Sequence, residues 1–330
     1  MRKILTLEYP PVTSYPSIAN ILSMVWPIKD KAIVWFCDHF IQLVFRPKHK
    51  YSFLDFYDHA DLDNYFSIIY GMPGIGWMRH NSETANFEKF TDYIEHQIDQ
   101  SYGLEACLDR YYLESLGNKP KHFIHSSFIY GYDNEEKEVY VFDFWETGKY
   151  SSKVFNYDEI NRSMNNNGII NLFKVCDFDY ELNMELMKKS LNDYLHSVDS
   201  MYRFQSSNKD YNKNVIFGLD CYQYLFFQFK EYGSVDTRMY HVMLDHKVMM
   251  KYRLECLLKV EVLSIEDYNI LKEINDVLIS KTSILRSLAI MLNTHNSMID
   301  VSKLEMKICE LRDLDENFVV RFLECIKYIW

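Results

Sequence analysis

The sequence predicts an α+β protein, in which an antiparallel sheet with flanking helices fills residues 1–178 and an all-helical half fills 179–330. Before residue 178, short β-branched and aromatic runs alternate with turn signals. Beyond Glu181, glycine occurs only at 218 and 233 and proline is absent. There the apolar residues recur at helical spacing, with Leu182, Leu186, Met187, Leu191, Tyr194, Leu195 and Val198 tracing one face. A chain of 330 residues that is 48% hydrophobic is large enough to bury a substantial core.

In chain order, "SIANILSMV" (17–25) follows a proline-containing approach and predicts a buried helix. "AIVWFCDHFIQLVF" (32–45), bounded by "RPKHK", reads as strand because it is β-branched and aromatic. Residues 83–100 read as a helix capped by Ser82. "GLEACLDRYYL" (103–113) alternates, with Leu104, Ala106, Leu108 and Arg110 opposite Glu105, Cys107 and Asp109, and reads as strand. "HSSFIYGYD" (125–133) and "EVYVFDFW" (138–145), separated by "NEEK", predict an antiparallel hairpin. "IINLFKVCDF" (169–178) is one more strand, followed by a domain boundary near 178–181. Helices are expected near 181–205, 213–231, 236–262, 265–294, 300–311 and 315–328.

A net charge of −11 opposes general affinity for nucleic acid or an anionic membrane. The opening "MRKILTLEYPPV" carries only four uncharged residues before Glu8, too few for a signal-peptide apolar region, so a cytoplasmic location is expected. Seven single cysteines without a C-x-x-C pair disfavour both a disulfide framework and a zinc site. Neither a metal nor a cofactor is expected.

The hairpin carries the chemistry. It brings His125 at the start of one strand near Asp143 on the next, and a carboxylate beside imidazole fixes the tautomer a general base needs. A nucleophile belongs at a helix start, where free N–H groups favour a developing anion. Ser14 stands just before the first helix. Each residue also has a plainer reading: Ser14 as a helix cap, His125 as a strand-end histidine on a carbonyl, Asp143 as a turn-facing carboxylate. His122 is the rival base. Cys37 and Cys107 read as buried strand residues, and His241 and His246, five apart, are off the spacing that pairs ligands on a helix. "GMPGIGW" (71–77) lacks a Walker lysine and reads as a shaped loop that could line an acyl channel. The basic clusters 46–50 and 118–122 are solvated turns or landing places for an acidic carrier domain.

"TSYPSIANIL", "HSSFIYGYD", "VYVFDFWETGKY", "GLDCYQYLFFQF" and "YHVMLDHKVMMKYRLECLL" together resemble the papain-like acyltransferases of the butirosin biosynthesis protein H group. The resemblance spans most of the chain. It implies a papain-like, cysteine-protease fold and transfer of an acyl group from a carrier-protein thioester to a small amine, in antibiotic assembly. The partners it implies are an acyl or peptidyl carrier protein and that amine, with phosphopantetheine present only as part of the carrier. Carried over by position, His125 is the base, Asp143 its orienter, and Ser14 falls where the family has cysteine. A serine hydroxyl must lose its proton during attack, whereas a cysteine thiol forms a thiolate pair beforehand. Three explanations stay open: serine is used, the chain is a degenerate non-catalytic relative, or a cysteine was replaced by design. Glu8 stands where such enzymes carry the oxyanion-hole glutamine. A peptidase or amide hydrolase on the same fold, and an inactive binding scaffold, are the competing functions.

Overall fold

The computed structural model describes the chain except for residues 48–52, 58–70, 82–87, 118–120, 146–147, 165–167, 201–214, 227–232, 295–300 and 329–330. In chain order its elements are β1 (Arg2–Ile4), α1 (Pro16–Val25), α2 (Lys29–Asp38), β2 (Leu43–Arg46), β3 (Phe53–Phe56), β4 (Ile75–Asn81), α3 (Phe90–Asp99), β5 (Gly103–Asp109) and β6 (Ile124–Asp133). They continue with β7 (Glu138–Phe144), β8 (Tyr150–Asn156), α4 (Tyr157–Ser163), β9 (Ile169–Val175), α5 (Met184–Leu195), β10 (Ile216–Phe217), α6 (Thr237–Lys259), α7 (Ile265–Thr294) and α8 (Val301–Cys325). The architecture is mixed α+β with antiparallel sheets and a helical C-terminal half.

The chain divides into two compact units: Met1–Lys29 with Ile69–Asp179, and Asp30–Ile68 with Tyr180–Trp330. One cut falls between Asp179 and Tyr180, beside the sequence boundary. Residues 30–68, assigned from sequence to the first half, group instead with the helical unit.

In the first unit, the described residues form one seven-stranded sheet in the order β4-β9-β5-β6-β7-β8, with β1 pairing β6. The expected hairpin is β6–β7, in register from Asp133–Glu138 to Phe128–Phe142 with a bulge between Ile129 and Gly131. Gly131 meets the need for close approach: a Cβ there would lie 2.9 Å from the Lys3 carbonyl of β1. Leu104, Ala106 and Leu108 of β5 sit on one face with Ile129, Val139 and Val141, packed against Phe90, Ile94 and Ile98 of α3 and Ile160 of α4. Helix α1 covers the other face. There Asn20 donates to the buried Glu105 carboxylate at 3.0 Å and accepts from the Tyr150 hydroxyl at 3.0 Å, while Met24 and Phe128 crowd Gly103. Helix α3 starts at Phe90, with Lys89 extended as its N-cap, so residues 88–89 of the helix expected over 83–100 are not helical, and the expected Ser82 cap lies outside the described residues. Strands β4 and β8 and helix α4 were not expected. Helix α4 starts with a reciprocal Asn156–Glu159 capping box.

The second unit corrects four expectations. Residues 32–45 are not one strand: α2 runs to Asp38, and only Leu43–Arg46 is strand, in a sheet ordered β10-β2-β3. The helix wins because the buried Arg253 guanidinium takes the carbonyls of Phe36, Cys37 and His39 where α2 ends, which strand propensity does not anticipate. Cys37 is therefore helical. Residues 213–231 are not a helix where described. Gly218 has φ +56°, and a Cβ there would lie 2.2 Å from the Tyr194 carbonyl, so the chain makes a short β10 and then a 3-10 turn over Gly218–Tyr224. The segments 300–311 and 315–328 are one helix, α8, because Asp315, which looks like a polar break, is wholly buried and accepts from Tyr194 and Tyr222. Helices α6 and α7 stand where periodicity predicts them, but α5, expected over 181–205, ends at Leu195: His196 caps it, Ser197 has φ +55°, and the described residues to Ser200 are not α-helical. Asn183 and Asp236 cap α5 and α6.

Candidate functional site

At the end of the first unit's sheet, one buried carboxylate gathers four donors. Asp143, one residue from the end of β7, has a fully buried side chain. Its Oδ1 lies 2.8 Å from His125 Nδ1 and accepts the Phe144 N–H at 2.6 Å. Its Oδ2 accepts from Arg110 Nη2 at 2.8 Å and from Ser127 Oγ at 2.7 Å. Alternation explains most of the grouping, because His125, Ser127 and Asp143 project to the face that carries Leu104, Leu108, Ile129 and Val141, while Arg110 reaches Asp143 from the 3-10 turn just after β5.

The tautomer follows from the partners. A carboxylate only accepts, so Nδ1 of His125 carries the proton and Nε2 is left as the acceptor a general base requires. Arg110 Nη2 also lies 3.2 Å from Nδ1, but its hydrogens go to Asp143 and, at 2.7 Å, to the Phe144 carbonyl. Nε2 receives no bond from a described residue, and the His125 side chain is 25% exposed, so this nitrogen faces outward. The Phe123 ring stacks on His125 at 5.5 Å, and the Arg110 guanidinium lies 5.2 Å from both the Phe123 and Trp145 rings.

Of the three residues assigned from sequence, His125 and Asp143 meet. Ser14 is buried at 8% exposure, two residues ahead of α1, and is not that helix's cap: Tyr15 holds the position without a side-chain bond. Pro16 opens the helix as expected. By strand alternation, the face that α1 covers is the one carrying Glu105, Ser126 and Tyr150, away from His125 and Asp143. Glu8 is turned to Lys29, its carboxylate 2.9 Å from the ammonium, and supplies no oxyanion donor. His122, the rival base, is exposed, bonds Asp109 at 2.7 Å and stacks on Tyr111.

No protein-family model and no curated protein matches the chain.

Sequence reasoning missed Arg110 and Ser127 as partners of Asp143. Ser127 lies two residues from His125 on one strand. The strand expected over 103–113 ends at Asp109, and Arg110 opens a 3-10 turn over Arg110–Tyr112 capped by Asp109, from which its guanidinium reaches Asp143. On the α1 face, a shallow groove of about 490 Å³ is lined by Tyr9, Phe142, Lys149, Tyr150, Ser151 and Ser152. The "GMPGIGW" stretch is part loop and part β4, since Ile75 already pairs with Val175 of β9. Among the described residues, no group of three or more His, Cys, Asp or Glu side chains is placed to hold a metal ion, and no helix is long and apolar enough to cross a membrane. His246 is no ligand: its Nε2 donates to the Ile41 carbonyl at 2.7 Å in the core of the second unit.

Proposed function

We propose that the first unit is a papain-like acyltransferase domain that moves an acyl group from a carrier-protein thioester to an amine through a covalent intermediate on residue 14. The observation that supports this most is the 2.8 Å contact between His125 Nδ1 and Asp143 Oδ1, with Nε2 turned outward as an acceptor. The resemblance to the butirosin protein H group supplies the substrate class. In this scheme Ser14 Oγ attacks the thioester carbonyl carbon while Nε2 takes its proton; the tetrahedral intermediate collapses, and the departing thiolate is protonated by the imidazolium. The amine then attacks the resulting ester, His125 accepts the amine proton, and Ser14 Oγ leaves with it. Asp143 holds the ring throughout. The attack needs Ser14 Oγ within about 3 Å of Nε2 or one water away.

Transfer and hydrolysis separate when an acyl thioester is supplied with and without an amine. Amide formed at the expense of free acid is the expected result. Free acid released at the same rate in both mixtures overturns the transferase reading in favour of an amide hydrolase.

A second reading, a binding relative without catalysis, is favoured by the seat of α1 on the sheet face away from His125. Under that reading Ser14→Cys neither acquires an acyl group nor turns over the thioester, as read by intact mass.

A further inference from the structure

Helix α7 carries more apolar surface than its own packing uses. Leu271, Leu278, Leu285, Ala289 and Leu292 are buried and form the stripe by which it packs on α6 and α8. A helix at a protein surface needs one such stripe. Here a second one, made of Ile270, Ile274, Val277, Ile284, Leu288 and Met291, runs along another side of the helix. Its members Val277, Ile284 and Met291, seven residues apart, are 43%, 52% and 46% exposed. Steps of four and three residues alternate along this stripe, which is the a/d spacing of a coiled-coil seam, and its one polar member is Lys281. The seam covers about 30 Å of helix.

We propose that α7 is a homodimer interface, packing antiparallel along this seam against α7 of a second copy of the chain. This inference is independent of the acyl-transfer reading. Two observations select a second copy and this orientation. The first is that the seam matches its own reverse. About a two-fold axis at residue 279, Ile270 of one copy faces Leu288 of the other, Ile274 faces Ile284, and Val277 faces Lys281, as an isologous contact requires. The second is charge. Residues 265–279 carry Glu266, Asp267, Glu273 and Asp276 against Lys272 alone, whereas 280–294 carry Lys281 and Arg286 and no carboxylate. Antiparallel pairing sets the unlike halves together, and parallel pairing would set like against like.

The polar member of the seam has a place to go. Around Val277, α7 bears a shallow groove of about 500 Å³ whose lining includes Glu273, Asp276 and Ser280. In the antiparallel register the Lys281 ammonium of one copy enters this groove on the other. Asp276 is already paired with Lys272, so Glu273, one turn from Val277, is the carboxylate that receives it. Within its own chain Lys281 lies 3.4 Å from Glu310, and both side chains are about half exposed, so a surface pair of small worth is exchanged for one at the seam. A single lysine at an a position fixes the register of such a pair at some expense in stability.

Sedimentation equilibrium of the full chain at concentrations up to about 100 µM tests this. The expected result is a reversible association that reaches the mass of two chains. Ile284→Glu places two carboxylates in the apolar seam and is expected to weaken the dimer at least about a hundredfold, with the far-ultraviolet circular dichroism of the chain unchanged. Val277→Glu, at a second exposed position, gives the same loss, so the test stands even where one variant fails to fold. Lys281→Glu weakens the dimer by about tenfold, and Lys281→Glu/Glu273→Lys recovers it, because reversing both charges restores the pairing between copies. A chain that stays monomeric over the whole range, or a dimer indifferent to both Ile284→Glu and Val277→Glu, overturns the proposal. A double charge reversal no tighter than Lys281→Glu alone overturns the antiparallel register.

Discussion

At Asp143 the carboxylate has no capacity left: two oxygens receive a ring N–H, a guanidinium, a hydroxyl and a backbone N–H. That saturation makes the buried charge tolerable, and it fixes the imidazole tautomer as a by-product. Arg110→Met removes the only cation bonded to this carboxylate among the described residues and is expected to cost about 3 kcal/mol in urea unfolding. Arg110→Met/Asp143→Leu is expected to cost more still, because the leucine also leaves the His125 ring N–H, the Ser127 hydroxyl and the Phe144 N–H without their acceptor. A double variant as stable as Arg110→Met alone would contradict that reading. The His125–Asp143 pair was legible from sequence because both residues fall at predictable places on a hairpin with a recognisable turn. Arg110 was not: the expected strand ends at Asp109, and nothing local announces a guanidinium that reaches Asp143 from the 3-10 turn beyond it.

Among the elements, local and distant information divide cleanly. Helix α1, the β6–β7 hairpin and helices α5 to α7 announce themselves through periodicity and caps. Helix α2 does not, because Arg253, more than two hundred residues away, satisfies its terminal carbonyls. Helix α4 was announced by an overlooked Asn-x-x-Glu spacing. The break at Gly218 is a contact effect, and substitution exposes it. Gly218→Ala places a methyl group against the Tyr194 carbonyl in a left-handed conformation, and is expected to destabilise the second unit by more than about 1 kcal/mol, seen as a lowered urea midpoint with unchanged slope. A neutral outcome would mean that the turn relaxes away from Tyr194.

For the whole molecule, the second unit is discontinuous in sequence and is organised around buried charge. Lys247 bonds Asp315, and its ammonium lies 3.0 Å from His246 Nδ1, while His246 Nε2 donates to Ile41. Burial, with Lys247 and Arg253 adding to it, holds the His246 imidazole well below its usual range. The unfolded chain therefore takes up a proton that the folded chain refuses. Stability falls as pH drops below about 6.5, by up to roughly 1.4 kcal/mol per pH unit from this group. Unfolding free energies of the unsubstituted chain and of His246→Gln across pH 7 to 5 check this, with a shallower slope expected in the variant. The central claim about function lies in the first unit, and intact mass after single-turnover exposure to an acyl pantetheine thioester tests it most directly. An adduct of one acyl group on residue 14, lost in both His125→Ala and Ser14→Ala, is the predicted result. An unmodified chain, or an adduct that persists without the imidazole, contradicts it.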